Sequence, residues 1–248
     1  MQYTRFRRSS FYSGYFPPGV KWLLISNIAI FVLDNLAEVF LHTDLFRLMG
    51  LVPAMVLQLG FVWQPFTYMF LHSGIWHILF NMLVLWMFGL DLERDWGTKR
   101  FLQYYFLCGI GAALCVIAAA LVRPSEMLAR TIGASGAIYG LLLAYGVVYA
   151  DRVILMSLLF PIKAKYAVMI FGAIAFIGSW RPGSGVSHIA HLGGMIFGYI
   201  FLKLRLNMRG FAPVAALRGQ VNDWKVKRAR RKFQVYLRKR DDRDRWVN

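Results

Sequence analysis

The chain has 248 residues, of which 58% are hydrophobic and 17% charged, and 29 lysines and arginines against 12 acidic residues give it a net charge of +17. The apolar content lies above the roughly 45–50% of soluble domains and excludes a disordered chain. Two cysteines, Cys108 and Cys115, lie in one apolar run and are too far apart along a helix to bridge, which excludes a disulfide-stapled secreted module. The composition therefore indicates a multi-pass membrane protein with basic ends.

Six apolar stretches bounded by charged residues predict an all-α fold, a polytopic membrane bundle of six transmembrane helices. In chain order they are Trp22–Leu41, Ile75–Leu90, Phe101–Val122, Ile132–Ala150, Tyr166–Trp180 and Ile189–Leu206. The fifth stretch has only 15 residues, which is short for a span. The predicted organisation is an N-terminal segment over residues 1–21, a membrane domain over residues 22–206 and a basic tail over residues 207–248.

Basic residues are unevenly distributed over the segments between these stretches. When alternate segments are assigned to opposite sides of a membrane, 25 of the 29 lysines and arginines fall on the side that holds both termini. Because such residues concentrate on the cytoplasmic side, we expect both termini to be cytoplasmic. The expected location of the protein is the cell inner membrane. No small-residue cleavage site follows the first stretch, so it is expected to be a retained helix rather than a signal peptide.

The tail over residues 207–248 carries 13 basic and 4 acidic residues. Its apolar residues Val226, Ala229, Phe233 and Leu237 fall at helical spacing, which predicts a basic amphipathic helix lying on the anionic lipids of the inner leaflet. A nucleic-acid partner is the alternative, and it is less favoured because the preference for basic residues in the cytoplasm already explains such a tail.

Polar side chains that are costly in a bilayer occur near the predicted outer ends of three helices. They are His72, His77 and Asn81 at the second stretch, Ser135 and Tyr139 at the fourth, and His188 and His191 at the sixth. The orientation inferred from charge alone places all three groups at one depth. His77 and Asn81 are four residues apart and share a helix face, as do Ser135 and Tyr139.

Glycines predict where two of these helices approach each other. Gly194 and Gly198 follow His191 as a pair of small residues four apart, and the fourth stretch contains Gly133, Gly136 and Gly140. Small residues let helix backbones come close in a membrane. We therefore expect the sixth helix to pack against the fourth and to bring His191 toward Ser135.

A serine within reach of a histidine is a nucleophile with its general base. On this interpretation Ser135 would attack a carbonyl carbon and His191 would take its proton. His77, Asn81 and the backbone N–H of Ser135 could then donate hydrogen bonds to the developing oxyanion. The pattern thus favours acyl-transfer chemistry by a Ser–His pair.

Less specific interpretations compete with this one. A serine in a Gly-rich membrane helix is usually a packing residue bonded to its own backbone, and a single histidine usually joins two helices. Four histidines at one depth also suit a metal, but no H-E-x-x-H occurs and His72 and His77 would lie on different helix faces, so neither metal nor other cofactor is expected. A transporter is disfavoured because Asp34 and Glu38 are the only candidate intramembrane acids and no internal repeat is visible.

Three ordered motifs are shared with a known family. Gly133–Gly140 matches G-x-S-G-x-x-Y-G, while His72, His77 and Asn81 match H-x-x-x-x-H-x-x-x-N, and Ala190-His191 is followed by Gly194 and Gly198. In these motifs the chain resembles the rhomboid family of intramembrane serine proteases over roughly Trp22 to Leu206. One departure is Trp63-Gln64, where many members have Trp-Arg.

The resemblance implies a role for each matching residue. Ser135 would be the nucleophile and His191 the base, with His77, Asn81 and the Ser135 amide in the oxyanion hole and Tyr139 stacked on His191. The substrates would be transmembrane proteins cleaved near the exoplasmic side of the membrane. The alternative is a catalytically silent relative that binds transmembrane helices, and it is weaker because Ser135 and His191 are both kept.

Overall fold

The computed structural model describes residues 16–42, 48–156, 160–180 and 188–206, and these are largely helical. The basic tail and its predicted amphipathic helix lie outside the described residues, as does most of the N-terminal segment. The chain divides into two units, Met1–Phe201 and Leu202–Asn248. The boundary between the two units falls within the last described helix, His188–Leu206.

Eight α-helices are present in the described part of the chain. They are α1 (Pro18–Leu41), α2 (Pro53–Leu59), α3 (Gln64–Thr67), α4 (Ile75–Trp96), α5 (Thr98–Val122), α6 (Ser135–Val148), α7 (Ala164–Gly178) and α8 (His188–Leu206). Single 3₁₀ turns cover Tyr68–Phe70 and Pro124–Glu126. Of the described helices, α1, α4 and α5 are long and apolar enough to cross a membrane, whereas α6, α7 and α8 are apolar but shorter.

The structure differs from the sequence-based prediction in several places: α2 and α3 were not predicted, and α1 and α4 are longer than the predicted stretches. The fourth predicted stretch begins at Ile132, but α6 begins at Ser135 because Gly133 has a φ of +113°, which is incompatible with a right-handed helix. An antiparallel hairpin, β1 (Val153–Met156) and β2 (Phe160–Lys163), separates α6 from α7 and was not predicted. Its residues form a short apolar run, and such a run does not distinguish strand from buried helix.

The interface of α5 and α6 is built from small side chains. A Cβ at Gly136 would lie 2.7 Å from the Cβ of Ala112, so the two helix backbones are in close contact there. Further along, the hydroxyl of the buried Tyr104 donates to the carbonyl of Gly140 over 2.7 Å. Close packing of small residues is the main stabilising contact between helices in a membrane, and here it fixes α6 against α5.

The first turn of α1 is held against α4 by one carboxylate. Glu93 is buried and accepts hydrogen bonds from the backbone N–H groups of Gly19 and Val20, each over 2.7 Å. The Thr98 hydroxyl donates to the same carboxylate over 2.7 Å. A negative charge at a helix N-terminus interacts favourably with the helix dipole, so Glu93 caps α1 and holds it against α4.

A polar cluster joins the C-terminal ends of α4 and α6. Asp91 accepts a hydrogen bond from the Arg152 guanidinium over 2.6 Å and one from the Tyr145 hydroxyl over 3.1 Å. The guanidinium also lies over the rings of Tyr145 and Tyr149, 5.9 and 5.6 Å from their centroids. This cluster sets the distance between α4 and α6 at the end of α6 that is remote from Ser135.

Gln64 is the residue that departs from the Trp-Arg pattern, and it is fully buried. Its side-chain oxygen accepts the backbone N–H of Val52 over 3.0 Å, and its amide nitrogen donates to the carbonyl of Leu48 over 3.3 Å. An uncharged amide therefore anchors the segment before α2. The hydrogen bonds of Gln64 thus accommodate an amide at the position where many family members have arginine.

Candidate active site

Ser135 is the first residue of α6 rather than an interior residue. The helical hydrogen bonds begin with Ile138, whose N–H donates to the carbonyl of Ala134 over 3.0 Å. In a helix interior a serine hydroxyl can bond the carbonyl four residues earlier, but Ser135 has no helical residue at that position. The Ser135 hydroxyl therefore does not form the hydrogen bond to its own helix backbone that a packing serine usually makes.

The hydroxyl of Ser135 instead lies 2.9 Å from Nε2 of His191 in α8. His191 is buried, with 6% of its surface exposed. When Nε2 carries no proton it accepts the hydrogen bond of the serine O–H, which is the arrangement needed for proton transfer to the ring. The contact expected from the sequence between these two residues is therefore present.

The imidazole of His191 is held by two other rings. The ring of Tyr139 stacks on it with centroids 4.0 Å apart and an interplanar angle of 5°. His188 meets it edge-on, at a centroid distance of 6.0 Å and an angle of 90°. Nδ1 of His191 has no hydrogen-bond partner among the described residues. Packing, rather than a carboxylate, orients this histidine in the described part of the chain.

Glycines bring α8 against α6. A Cβ at Gly194 would overlap the carbonyl oxygen of Gly136, and a Cβ at Gly140 would lie 3.1 Å from the carbonyl oxygen of Gly194. Gly198 differs from the prediction, because it faces Tyr104 and Cys108 of α5 rather than α6. Only Gly194 of the predicted pair makes the close approach to α6.

His77, the third residue of α4, lies against the turn that leads into α6. A Cβ at Gly133 would lie 2.8 Å from both Cε1 and Nε2 of the His77 ring, so that edge of the ring faces Gly133. The turn itself is held by the Gly133 N–H, which donates to the carbonyl of Tyr68 over 2.9 Å. Glycine at position 133 supplies both the positive φ and the space for His77.

The other predicted residues on this side make contact with His77. Asn81 is buried and its side-chain nitrogen donates to the carbonyl of His77 over 2.8 Å, which uses one of its two N–H groups. His72 lies before α4 with 1% of its surface exposed, and its ring meets that of His77 edge-on at 5.0 Å. The hydrogen bond of Asn81 thus goes to His77 rather than to Ser135 or His191.

Ser73 also belongs to this site, although no sequence pattern indicated it. It contacts Nδ1 of the His77 ring. The backbone N–H of Ser73 lies 3.3 Å from this nitrogen and its Oγ lies 3.2 Å from it. In the described ranges, no group of three or more His, Cys, Asp or Glu side chains is placed to hold a metal ion. The arrangement suits nucleophilic chemistry at Ser135.

Comparison with known proteins identifies the same family in a family model and in individual relatives. A family model described as the Rhomboid domain matches residues 59–207, more than half of the chain. RHOMBOID-like protein 1 of Arabidopsis thaliana is 32% identical over 183 residues, which are 66% of this chain and 42% of the relative. Rhomboid protease GluP of Bacillus subtilis is 34% identical over 139 residues, 55% of this chain and 25% of the relative. Rhomboid protease AarA of Providencia stuartii is 32% identical over 153 residues, 55% of this chain and 53% of the relative. The chain thus spans about half the length of these relatives, or less.

Proposed function

Because the chain belongs to the rhomboid family, we propose that it is an intramembrane serine endopeptidase in which Ser135 is the nucleophile and His191 the general base. The observation that carries this proposal is the 2.9 Å contact between Oγ of Ser135 and Nε2 of His191. Two of its relatives, in Bacillus subtilis and Providencia stuartii, are named as proteases.

The proposed reaction has two steps. Oγ of Ser135 attacks the carbonyl carbon of the scissile peptide while Nε2 of His191 takes its proton, and the ring then gives that proton to the leaving amine. The acyl-enzyme that results is hydrolysed by water, with His191 again as the base. Stacking on Tyr139 keeps the ring in position through both proton transfers.

The start of α6 is suited to stabilise the oxyanion. The N–H groups of the first helical residues, beginning with Ser135, precede the first helical hydrogen bond, and the helix dipole is positive at this end. His77 and the second N–H of Asn81 would add side-chain donors from α4. Preorganised donors of this kind are among the largest contributions to acyl-transfer catalysis.

The proposed substrates are membrane-spanning proteins. A peptide bond inside a membrane helix is protected by its own hydrogen bonds and by the absence of water, so cleavage requires unwinding near a helix end. We propose that all six apolar helices span the membrane, with both termini cytoplasmic in the cell inner membrane. Ser135 would then lie near the exoplasmic face, where water enters, and the basic tail would bind anionic lipids of the inner leaflet.

The test is cleavage of a single-span reporter protein by the purified chain in liposomes. We expect Ser135→Ala and His191→Ala each to abolish cleavage. Ser26→Ala is the matched serine control, because the Ser26 hydroxyl bonds the Leu23 carbonyl of its own helix over 3.1 Å. Cleavage that survives either dyad substitution would overturn the proposal. A parental chain that binds the reporter without cleaving it would be a catalytically silent family member.

A further inference from the structure

Nδ1 of His77 is an acceptor of hydrogen bonds. The backbone N–H of Ser73 points at it over 3.3 Å, and a backbone N–H can only donate. Nδ1 must therefore offer its lone pair. The Ser73 hydroxyl, 3.2 Å from the same nitrogen, then acts as a second donor.

The local sequence explains why this contact forms. Gly74 is the N-cap of α4, so His77 is the third helical residue and Ser73 immediately precedes the cap. In a capping box, the side chain of the third residue reaches back to a free N–H at the start of the helix. His77 makes the equivalent contact with an imidazole and reaches Ser73, one residue further back.

The opposite edge of the ring has the opposite character. A neutral imidazole carries one proton, so a ring that accepts at Nδ1 is protonated at Nε2. The Cε1–Nε2 edge is the one that lies against Gly133, at the entrance to α6. His77 thus directs an N–H donor toward the turn before Ser135, whereas the other tautomer would direct a lone pair there.

We infer that Ser73 is a positioning residue that holds His77 in the Nε2–H tautomer, so that the ring donates a hydrogen bond to an oxyanion formed at Ser135. This inference rests on the proposed function of His77 in the oxyanion hole. Ser73 itself does not touch the reacting atoms. Its effect is to make His77 a donor before the substrate arrives, so no rearrangement is needed during the reaction.

The tautomer can be measured without any cleavage assay. The full chain with the Ser135→Ala substitution is labelled with ¹⁵N-histidine in detergent, and two-bond proton–nitrogen correlations report which nitrogen of each ring is protonated. Loss of one set of signals in His77→Gln identifies His77. We expect Nε2 to be protonated and Nδ1 to be bare, and the Nδ1–H tautomer would overturn the inference.

Three substitutions at position 73 test the functional consequence. Ser73→Pro removes the N–H donor, Ser73→Ala removes only the hydroxyl, and Ser73→Thr keeps both. We expect kcat to fall in the order Thr, Ala, Pro, with Ser73→Pro losing up to the factor of about 10²–10³ typical of one oxyanion donor and KM unchanged. A folded Ser73→Pro variant with parental kcat would contradict the inference.

The two proposals fail in different ways. Should the parental chain cleave nothing while His77 is the Nε2–H tautomer, the proposed protease function is wrong and the tautomer assignment stands. Should the chain cleave through Ser135 while His77 is the Nδ1–H tautomer, the role of Ser73 is wrong and the protease function stands. If Ser73→Pro does not fold, Ser73→Ala and the tautomer measurement still test the inference, because the Nδ1–H tautomer in the chain with Ser73 intact would overturn it.

Discussion

Gly194 of α8 lies directly against the carbonyl oxygen of Gly136 in α6, so closely that a Cβ at position 194 would overlap that oxygen. Gly136 follows Ser135 in the chain, and Gly194 lies one helical turn after His191. The close approach of these two glycines therefore sets the distance between the nucleophile and the base. A backbone oxygen cannot move aside as a flexible side chain can.

Gly194→Ala should separate α8 from α6 and lengthen the contact between Ser135 and His191. Misplacement by about 1 Å can cost on the order of 10²-fold in rate, so we expect a loss of at least that size in reporter cleavage. Gly172→Ala in α7 is the matched control, because its Cβ would meet only the flexible end of Met195, at 3.2 Å. Equal activity of the two variants would show that the glycine contact does not set the dyad.

The stacked ring of Tyr139 offers a second test. Tyr139→Phe keeps an aromatic ring 4.0 Å from that of His191, whereas Tyr139→Leu removes the stack. Because Nδ1 of His191 has no other described partner to orient it, we expect Tyr139→Leu to lower kcat strongly and Tyr139→Phe to change it by only a few-fold. Steady-state cleavage rates distinguish the two. Similar kcat values for the two variants would show that contacts other than the stacked ring orient His191.

Asn81 makes a hydrogen bond that also occurs far from the site. Its side chain donates to the carbonyl four residues earlier, as does Asn35 in α1, where the donor–acceptor distance is 2.7 Å. Asn81→Ala should reduce kcat by about 10²–10³ if the second N–H binds the oxyanion. Asn35→Ala loses the same kind of backbone bond and should leave kcat unchanged. Thermal unfolding in detergent should show that both variants remain folded, and an Asn81→Ala variant with parental kcat would exclude the oxyanion role.

The sequence was sufficient to predict the contact between Ser135 and His191, because the spacing of Gly194 from His191 and of Gly136 from Ser135 placed small residues beside both. It was not sufficient to predict where α6 begins. Hydropathy continues through Ile132 and Ala134, and the helix start depends on the positive φ of Gly133, which an apolar pattern does not encode.

Ser73 was missed for a different physical reason. Its contact with Nδ1 of His77 is made partly by a backbone N–H, and every residue except proline has one, so the residue type carries little signal. The hairpin Val153–Met156 and Phe160–Lys163 was missed because a short apolar run suits either a strand or a buried helix. Patterns of side chains predicted the six apolar helices but not the short helices α2 and α3, and backbone geometry decided the details of the site.

His72 should make the stability of the protein depend on pH. Its ring is buried in the segment before α4, and burial, followed by the nearby His77, lowers the pKa of His72 from 6.5 to about 4. Between these two pH values the unfolded chain binds a proton that the folded chain does not. Above pH 6.5 the ring is neutral in both states and stability does not depend on its protonation. As the pH falls from 6.5 toward 4, the free energy of unfolding decreases by at most about 1.4 kcal/mol per pH unit.

Replacement of His72 by a ring that cannot be protonated removes this pH-dependent contribution to stability. We expect His72→Phe to have a flatter dependence of thermal unfolding temperature on pH than the parental chain between pH 6.5 and 4, measured in detergent. His42→Asn is the matched control, because it removes an exposed histidine at the end of α1, where the left-handed backbone also accepts asparagine. The control should keep the parental pH dependence. An unchanged slope in a folded His72→Phe variant would mean that other groups cause the acid sensitivity, and that His72 can be protonated without leaving its site.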